Sequence, residues 1–212
     1  MLRGTLVLPR VGLWHASMDI DAPLPPIGVP TTLTVGLSTF SGTCIAGGPW
    51  AGISRVLFVP GAGLLQSGTV PAAYYRACAA TLPLSTMLSG LGERLAASAS
   101  IPGSVDRYTV PTGPAMTAVT AYLTAILPPG YVWRALDSGE IWAGVEAWAP
   151  TVTTDDQAND SDDLPEIGLV TTAMREPLVR PGTVWRARYV ERVELDLHAE
   201  TQYAAVYYRR SP

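Results

Sequence analysis

The sequence contains no lysine: all fourteen of its basic residues are arginine. Two readings of this stay open, a coding bias and the better fit of the planar guanidinium to desolvated interface pairing. Charge of either sign is scarce. Asp, Glu, Lys and Arg make up 15% of the chain, against about 25% in an average soluble protein. The apolar fraction, 48%, is ordinary, so charge is deficient and grease is not in excess. The formal net charge is −4. That argues against a protein that wraps nucleic acid, which needs a clustered basic surface to neutralise phosphates.

Cysteine and histidine are almost missing. Cys44 and Cys78 form no C-x-x-C pair and stand near neither His15 nor His198, which removes the usual metal and redox motifs. Pairing of the two cysteines is left open. No G-x-S-x-G is present, and a nucleophilic hydrolase needs its Ser or Cys beside a histidine. His15, beside Trp14 at a strand end, reads as structural. The glycine pairs Gly61-Ala62-Gly63 and Gly90-Leu91-Gly92 do not continue into a phosphate-binding loop. No cofactor, metal or catalytic residue is therefore expected. Uncharged stretches 22–54 and 110–132 are long enough to span a membrane, but Pro, Gly and Thr punctuate both, so no membrane insertion is expected. The opening Met1-Leu2-Arg3-Gly4-Thr5-Leu6-Val7-Leu8 is too short and strand-like for a signal peptide, which predicts synthesis and use in a cytoplasm. No fixed-period repeat is visible, excluding solenoids and propellers.

What is present is strand and turn. Short β-branched or aliphatic runs at 5–8, 31–36, 41–45 and 56–59 are separated by Pro- and Gly-rich breaks, predicting an antiparallel meander or small barrel. Leu84, Met87, Leu88, Leu91 and Leu95 fall at helical spacing, predicting a helix over 84–97 with Ser85 as N-cap. A second helix is predicted over 114–127, with Pro114 in its first turn and Pro128-Pro129-Gly130 as its stop. Runs 131–136 and 140–148 flank Asp137-Ser138-Gly139, a hairpin signal. Trp133, Trp142 and Trp148 would give that hairpin an aromatic face. Residues 151–164 are polar and aperiodic, an exposed acidic loop. Strands are predicted over 166–174, 183–197 and 201–208. In the long one, Trp185, Ala187, Tyr189, Val193, Leu195 and Leu197 alternate with charged residues. Only Glu191 interrupts the apolar face, which predicts a bulge near 189–191.

The fold class expected is mainly β with two short helices, arranged as two small antiparallel barrel-like subdomains. The boundaries are 1–80 for a first barrel, 81–150 for the helices and Trp-rich hairpin, 151–165 for the acidic loop, and 166–212 for strands completing a second barrel. Asp137 with Glu140 or Glu146 are the carboxylate pairs available for glycoside hydrolysis, but Asp137 is better explained by its turn. The run 155–163 is rich in oxygen ligands, yet it lacks the Gly at six and the Glu at twelve of an EF-hand loop. It reads as a solvated loop, with Ca²⁺ binding left open. Six tryptophans and nine tyrosines fit either large contact surfaces or ordinary core.

Three stretches together resemble baseplate hub proteins of contractile-tailed bacteriophages, of the late control protein D type. They are Leu84-Ser85-Thr86-Met87-Leu88-Ser89-Gly90-Leu91-Gly92-Glu93, then Tyr131-Val132-Trp133-Arg134-Ala135-Leu136-Asp137-Ser138-Gly139-Glu140-Ile141-Trp142-Ala143-Gly144, then Arg180-Pro181-Gly182-Thr183-Val184-Trp185. The likeness spans roughly residues 80–200, and the order also looks like the family's. It implies a homotrimer whose two barrel domains per chain form a pseudo-sixfold ring, located in the virion tail and joining the tail tube to a central spike. It carries over no catalytic residue, and Trp133, Trp142 and Trp185 are expected in the core. Such hubs are usually longer than 212 residues, so a minimal hub and a neighbouring tail adaptor both fit. The competing readings are a tail-associated receptor- or carbohydrate-binding module with exposed aromatics, and a wall hydrolase using Asp137, Glu140 or Glu146.

Overall fold

The computed structural model describes residues 2–150, 161–173, 179–197 and 203–209. The chain opens with a meander, β1 (Leu2–Pro9), β2 (His15–Ile20), β3 (Pro30–Val35), β4 (Ser38–Trp50) and β5 (Ile53–Pro60). A middle part follows: α1 (Leu64–Ser67), β6 (Thr69–Val70), β7 (Ala73–Ala79), α2 (Thr81–Gly90), β8 (Ser104–Val110), β9 (Gly113–Pro114), α3 (Ala115–Ile126), β10 (Tyr131–Ala135) and β11 (Ile141–Val145). The last described elements are β12 (Ser161–Leu164), β13 (Leu169–Ala173), β14 (Val184–Trp185), β15 (Arg188–Leu197) and β16 (Tyr203–Arg209).

The fold is mainly β, as the sequence predicts, but its strands do not form closed barrels among the described residues. They form one ten-stranded sheet in the order β12-β13-β16-β15-β1-β2-β5-β4-β3, with β14 pairing β15. Every pairing in it is antiparallel. The sheet is continuous because β1, near one end of the chain, inserts between β2 and β15, with Leu6 opposite both Ala16 and Leu195. Among the described residues β3 and β12 lie at opposite ends of the path.

Alternation decides which face is covered. Leu6, Leu8, Ala16, Met18, Val56, Phe58, Val193 and Leu195 are buried, while their strand neighbours Thr5, Ser17 and Arg55 are exposed. The covered face shares one hydrophobic cluster with α2, α3 and the hairpin, through Leu84, Leu88, Val119, Tyr122, Leu123, Trp133 and Ile141. Trp14 anchors it, meeting Phe40 edge-on and Phe58 at a tilt and donating its indole N–H to the Leu136 carbonyl at 2.9 Å.

The helices depart from their predicted bounds. The first runs from Thr81 to Gly90, earlier than 84–97, because Pro83 fits a first turn and Gly90-Leu91-Gly92 ends it. Ser85 is therefore no N-cap; its hydroxyl donates to the Leu82 carbonyl within the helix. The second runs Ala115–Ile126 with Pro114 at its N-cap, close to 114–127. A third, one-turn helix, α1, escapes the sequence reading. The long strand predicted over 183–197 is broken: Arg186 and Ala187 take positive φ, so β14 turns back onto β15 with Val184 opposite Tyr189. The predicted bulge is present, as a register shift between Val190 and Arg192 against β16. Of the predicted 151–164 loop, 151–160 lie outside the described residues, and 161–164 are strand.

Candidate assembly surface

The acids named for glycoside hydrolysis, Asp137, Glu140 and Glu146, are each engaged. Asp137 accepts from Arg180 at 2.6 Å, and Arg180 also reaches the Ser38 hydroxyl and lies over the Phe40 ring. Burial pushes the Asp137 pKa up, opposed by Arg180 and then Arg134. Burial lowers that of Arg180, opposed by Asp137. Glu146 is buried and takes both its hydrogen bonds, at 2.7 and 2.9 Å, from Arg134, whose guanidinium also covers Trp142. Glu140 accepts from Ser138 at 3.2 Å. A hydrolytic pair needs one free carboxylate as base or nucleophile facing a protonated partner. Asp137 and Glu146 are instead each held by an arginine of their own.

His15 sits exposed at the start of β2, opposite Val7. Partial burial lowers its pKa, the Arg192 charge lowers it further, and Glu194 opposes. Neither Ser nor Cys bonds to it among the described residues. His198 lies outside the described residues, as do 155–160 of the acidic run. Asp163, at that run's end, is paired with Arg188 and accepts from the Tyr208 hydroxyl. Cys44 is buried, Cys78 half-buried, and both are free thiols. Among the described residues no three His, Cys, Asp or Glu side chains gather as a metal group. No helix there is long and apolar enough to cross a membrane.

The tryptophans divide. Trp133 and Trp185 are buried. Trp142 pairs across the hairpin with Arg134 rather than with Trp133, so it occupies the other face and is half-buried. Trp148 leaves the hairpin in a left-handed conformation. It meets Tyr189 edge-on at 5.0 Å and carries Arg10 and Arg209 over its ring. Glu191 at the bulge bridges the same two arginines. The single aromatic face predicted for the hairpin is thus split among three environments.

Glu93, the last residue of the 84–93 stretch, carries no role predicted from the sequence. It is buried, and it accepts from the backbone N–H of Ala62 at 3.0 Å and of Leu65 at 3.3 Å. Gly61, at positive φ, makes this possible: a Cβ there would fall 1.9 Å from the Glu93 Oε2. Burial raises the Glu93 pKa, and hydrogen bonds from the 62–65 backbone oppose the shift. A signal did exist, because Glu93 is the only acid between Asp21 and Asp106. This clamp forms part of an open cleft of about 590 Å³ together with Thr31, Ser41, Arg94, Ser138 and Glu140. Each oxygen of the carboxylate there accepts a backbone N–H.

Among the described residues, both ends of the large sheet lack a paired neighbour. At one end, β3 has an unpaired edge. Beside it stand Leu24, Ile27 and Val29 in the preceding loop and Leu37, 87% exposed, at the β3–β4 turn. At the other end β12 has an unpaired edge, with Leu164 and Ile167 exposed in its hairpin. An open edge flanked by apolar side chains is a template for further strand pairing.

No family model matches the sequence, and no curated protein matches it. Solved structures do share the fold. A 43 kDa tail protein of prophage MuSo2 from Shewanella oneidensis is 8% identical, with a TM-score of 0.72 over 98% of this chain and 93% of that one. A tail protein from Neisseria meningitidis MC58 is 10% identical, with a TM-score of 0.69 over 98% and 91%. The E. coli c3393 protein is 11% identical, with a TM-score of 0.63 over 98% and 73%. It is described as a component of the type VI secretion system with structural similarity to the T4 tail proteins gp27 and gp5. At such identities the likeness is one of fold.

Proposed function

We propose that the chain is a structural component of a phage-type tail, a baseplate hub-like adaptor that works as a homotrimer and joins the tail tube to the central spike. The observation that carries this reading is the open ten-stranded sheet, which ends on one side at β3 and on the other at β12, each flanked by exposed aliphatic side chains. Two different edges on one subunit make a head-to-tail contact, and such contacts generate closed rings when the rotation per subunit divides a full turn. Closure then leaves no edge free to aggregate. The fold shared with tail proteins supports the same reading. So does the low charge of the sequence, since surfaces that bury against a neighbour are depleted in charge at their centre.

The alternative, a receptor- or carbohydrate-binding module, calls for an open groove lined by aromatic rings that stack on sugars. The 590 Å³ cleft is lined by no aromatic residue, which favours the adaptor. Light scattering across a range of concentration and salt distinguishes them. The adaptor predicts three times the 22.5 kDa chain mass, whether alone or on addition of a spike protein. A monomer under all these conditions overturns it.

A further inference from the structure

We propose that the exposed face of the β7–β8 ribbon is a docking surface for the β12–β13 hairpin of a second copy of this chain. The inference rests on the ring reading above and names one of its contacts. Arg76 and Arg107 are direct register partners across the ribbon, and both are exposed. Like charges directly opposite one another destabilise a strand pair. Neither guanidinium has a hydrogen bond or ion pair among the described residues, where seven other arginines have carboxylate partners. Asp106 is the neighbour of Arg107 on the same strand, and successive side chains point to opposite faces. Tyr74, two residues before Arg76 and so on the same side, is 60% exposed. The face therefore offers two unneutralised cations beside an exposed ring.

The complementary chemistry lies at the end of the large sheet. Glu166 occupies the exposed turn between β12 and β13 and has no partner among the described residues. Leu164 and Ile167 flank it, both exposed. A carboxylate between two aliphatic side chains matches two guanidinium groups beside a tyrosine, in charge and in apolar area. A nucleic acid fits less well, because two arginines are too few to track a phosphate backbone and the chain as a whole is acidic. The two patches are distinct surfaces, so the contact is head-to-tail and propagates from copy to copy.

Charge reversal tests this. The variant Arg76→Glu/Arg107→Glu should dissociate to lower mass in light scattering, with the association constant reduced at least about tenfold. Arg76→Gln/Arg107→Gln should weaken it in the same direction without introducing repulsion. Adding Glu166→Arg to the reversed pair should restore part of the lost mass. All four changed or compared proteins should melt within a few degrees of one another, since these side chains are exposed. Wild-type mass in the reversed variant, with the unaltered chain still a trimer, overturns this contact and leaves the ring reading standing. An unaltered chain that is monomeric throughout overturns both. Loss of retention on a DNA column in the Gln variant with no change in mass also overturns the contact and assigns the arginines to phosphate.

Discussion

Glu93 ties two turns of the middle part together. Its two oxygens hold the turn that enters α1 against the turn that leaves α2. Glu93→Ala leaves the N–H groups of Ala62 and Leu65 without acceptors, and unsatisfied buried donors cost roughly 1–3 kcal/mol. A loss of that size is expected in urea unfolding, with Glu93→Gln intermediate because one amide nitrogen faces an N–H. The charge also sets a pH dependence. Burial raises the Glu93 pKa above its unfolded value, so the folded form binds its proton more tightly. The stabilisation from that proton is fully present below the unfolded pKa and is lost as pH rises through the folded one. As pH rises through the acidic range from the unfolded carboxylate pKa, the wild type should lose stability from this site, whereas Glu93→Gln should not. Gly61→Ala, which drives a Cβ into the same carboxylate at a positive φ, should be at least as damaging as Glu93→Ala.

Among the elements, the β10–β11 hairpin is held by a buried charge pair as well as by its ladder. The Glu146 side chain is 6% exposed and faces Arg134 at 2.7 Å, and it packs so closely on Gly182 that a Cβ there would lie 2.2 Å from it. Removing one member of a buried pair strands the other, at about 3–5 kcal/mol. Arg134→Ala should fall in that range by denaturant unfolding. Arg134→Met with Glu146→Leu should recover much of it, because neither charge is then buried alone.

How much of this was legible in the sequence follows from the range over which each feature is determined. Alternation and the Glu191 exception are local, so the strands of the first meander and the bulge in β15 could be read directly. β2 could not, because Ala16 stands where a larger apolar side chain would have marked the buried face. Leu91 and Leu95 continued a helical period past the end of α2, since Leu91 is buried in the turn after it and Leu95 forms a bridge to Ile141. The partners of Glu93, Arg134 and Arg180 lie 28 to 43 residues away in the clamp and in the Asp137 pair, or across a hairpin. Spacing alone does not find them.

For the whole molecule, the proposed head-to-tail assembly puts the two sheet ends at the contact between copies. Leu37→Glu combined with Ile167→Glu should lower self-association and raise solubility, because charges beside an edge strand oppose pairing with another chain. Sedimentation velocity at a series of concentrations reads the effect directly. Exposed positions of this kind usually change stability by less than about 0.5 kcal/mol, so a matching melting curve would separate the loss of association from a loss of fold.

The insertion of β1 between β2 and β15 also orders events in time. Gly4 pairs with Leu197 and Pro9 with Arg192, so the central ladder joins segments from nearly opposite ends of the chain. At the usual rate of synthesis, Leu197 emerges roughly 10–40 s after Gly4. During that interval β1 presents an unpaired, largely apolar edge while only its β2 side is occupied. The two halves of the sheet therefore unite after translation has passed residue 197, and that closure step has the high contact order that makes folding slow.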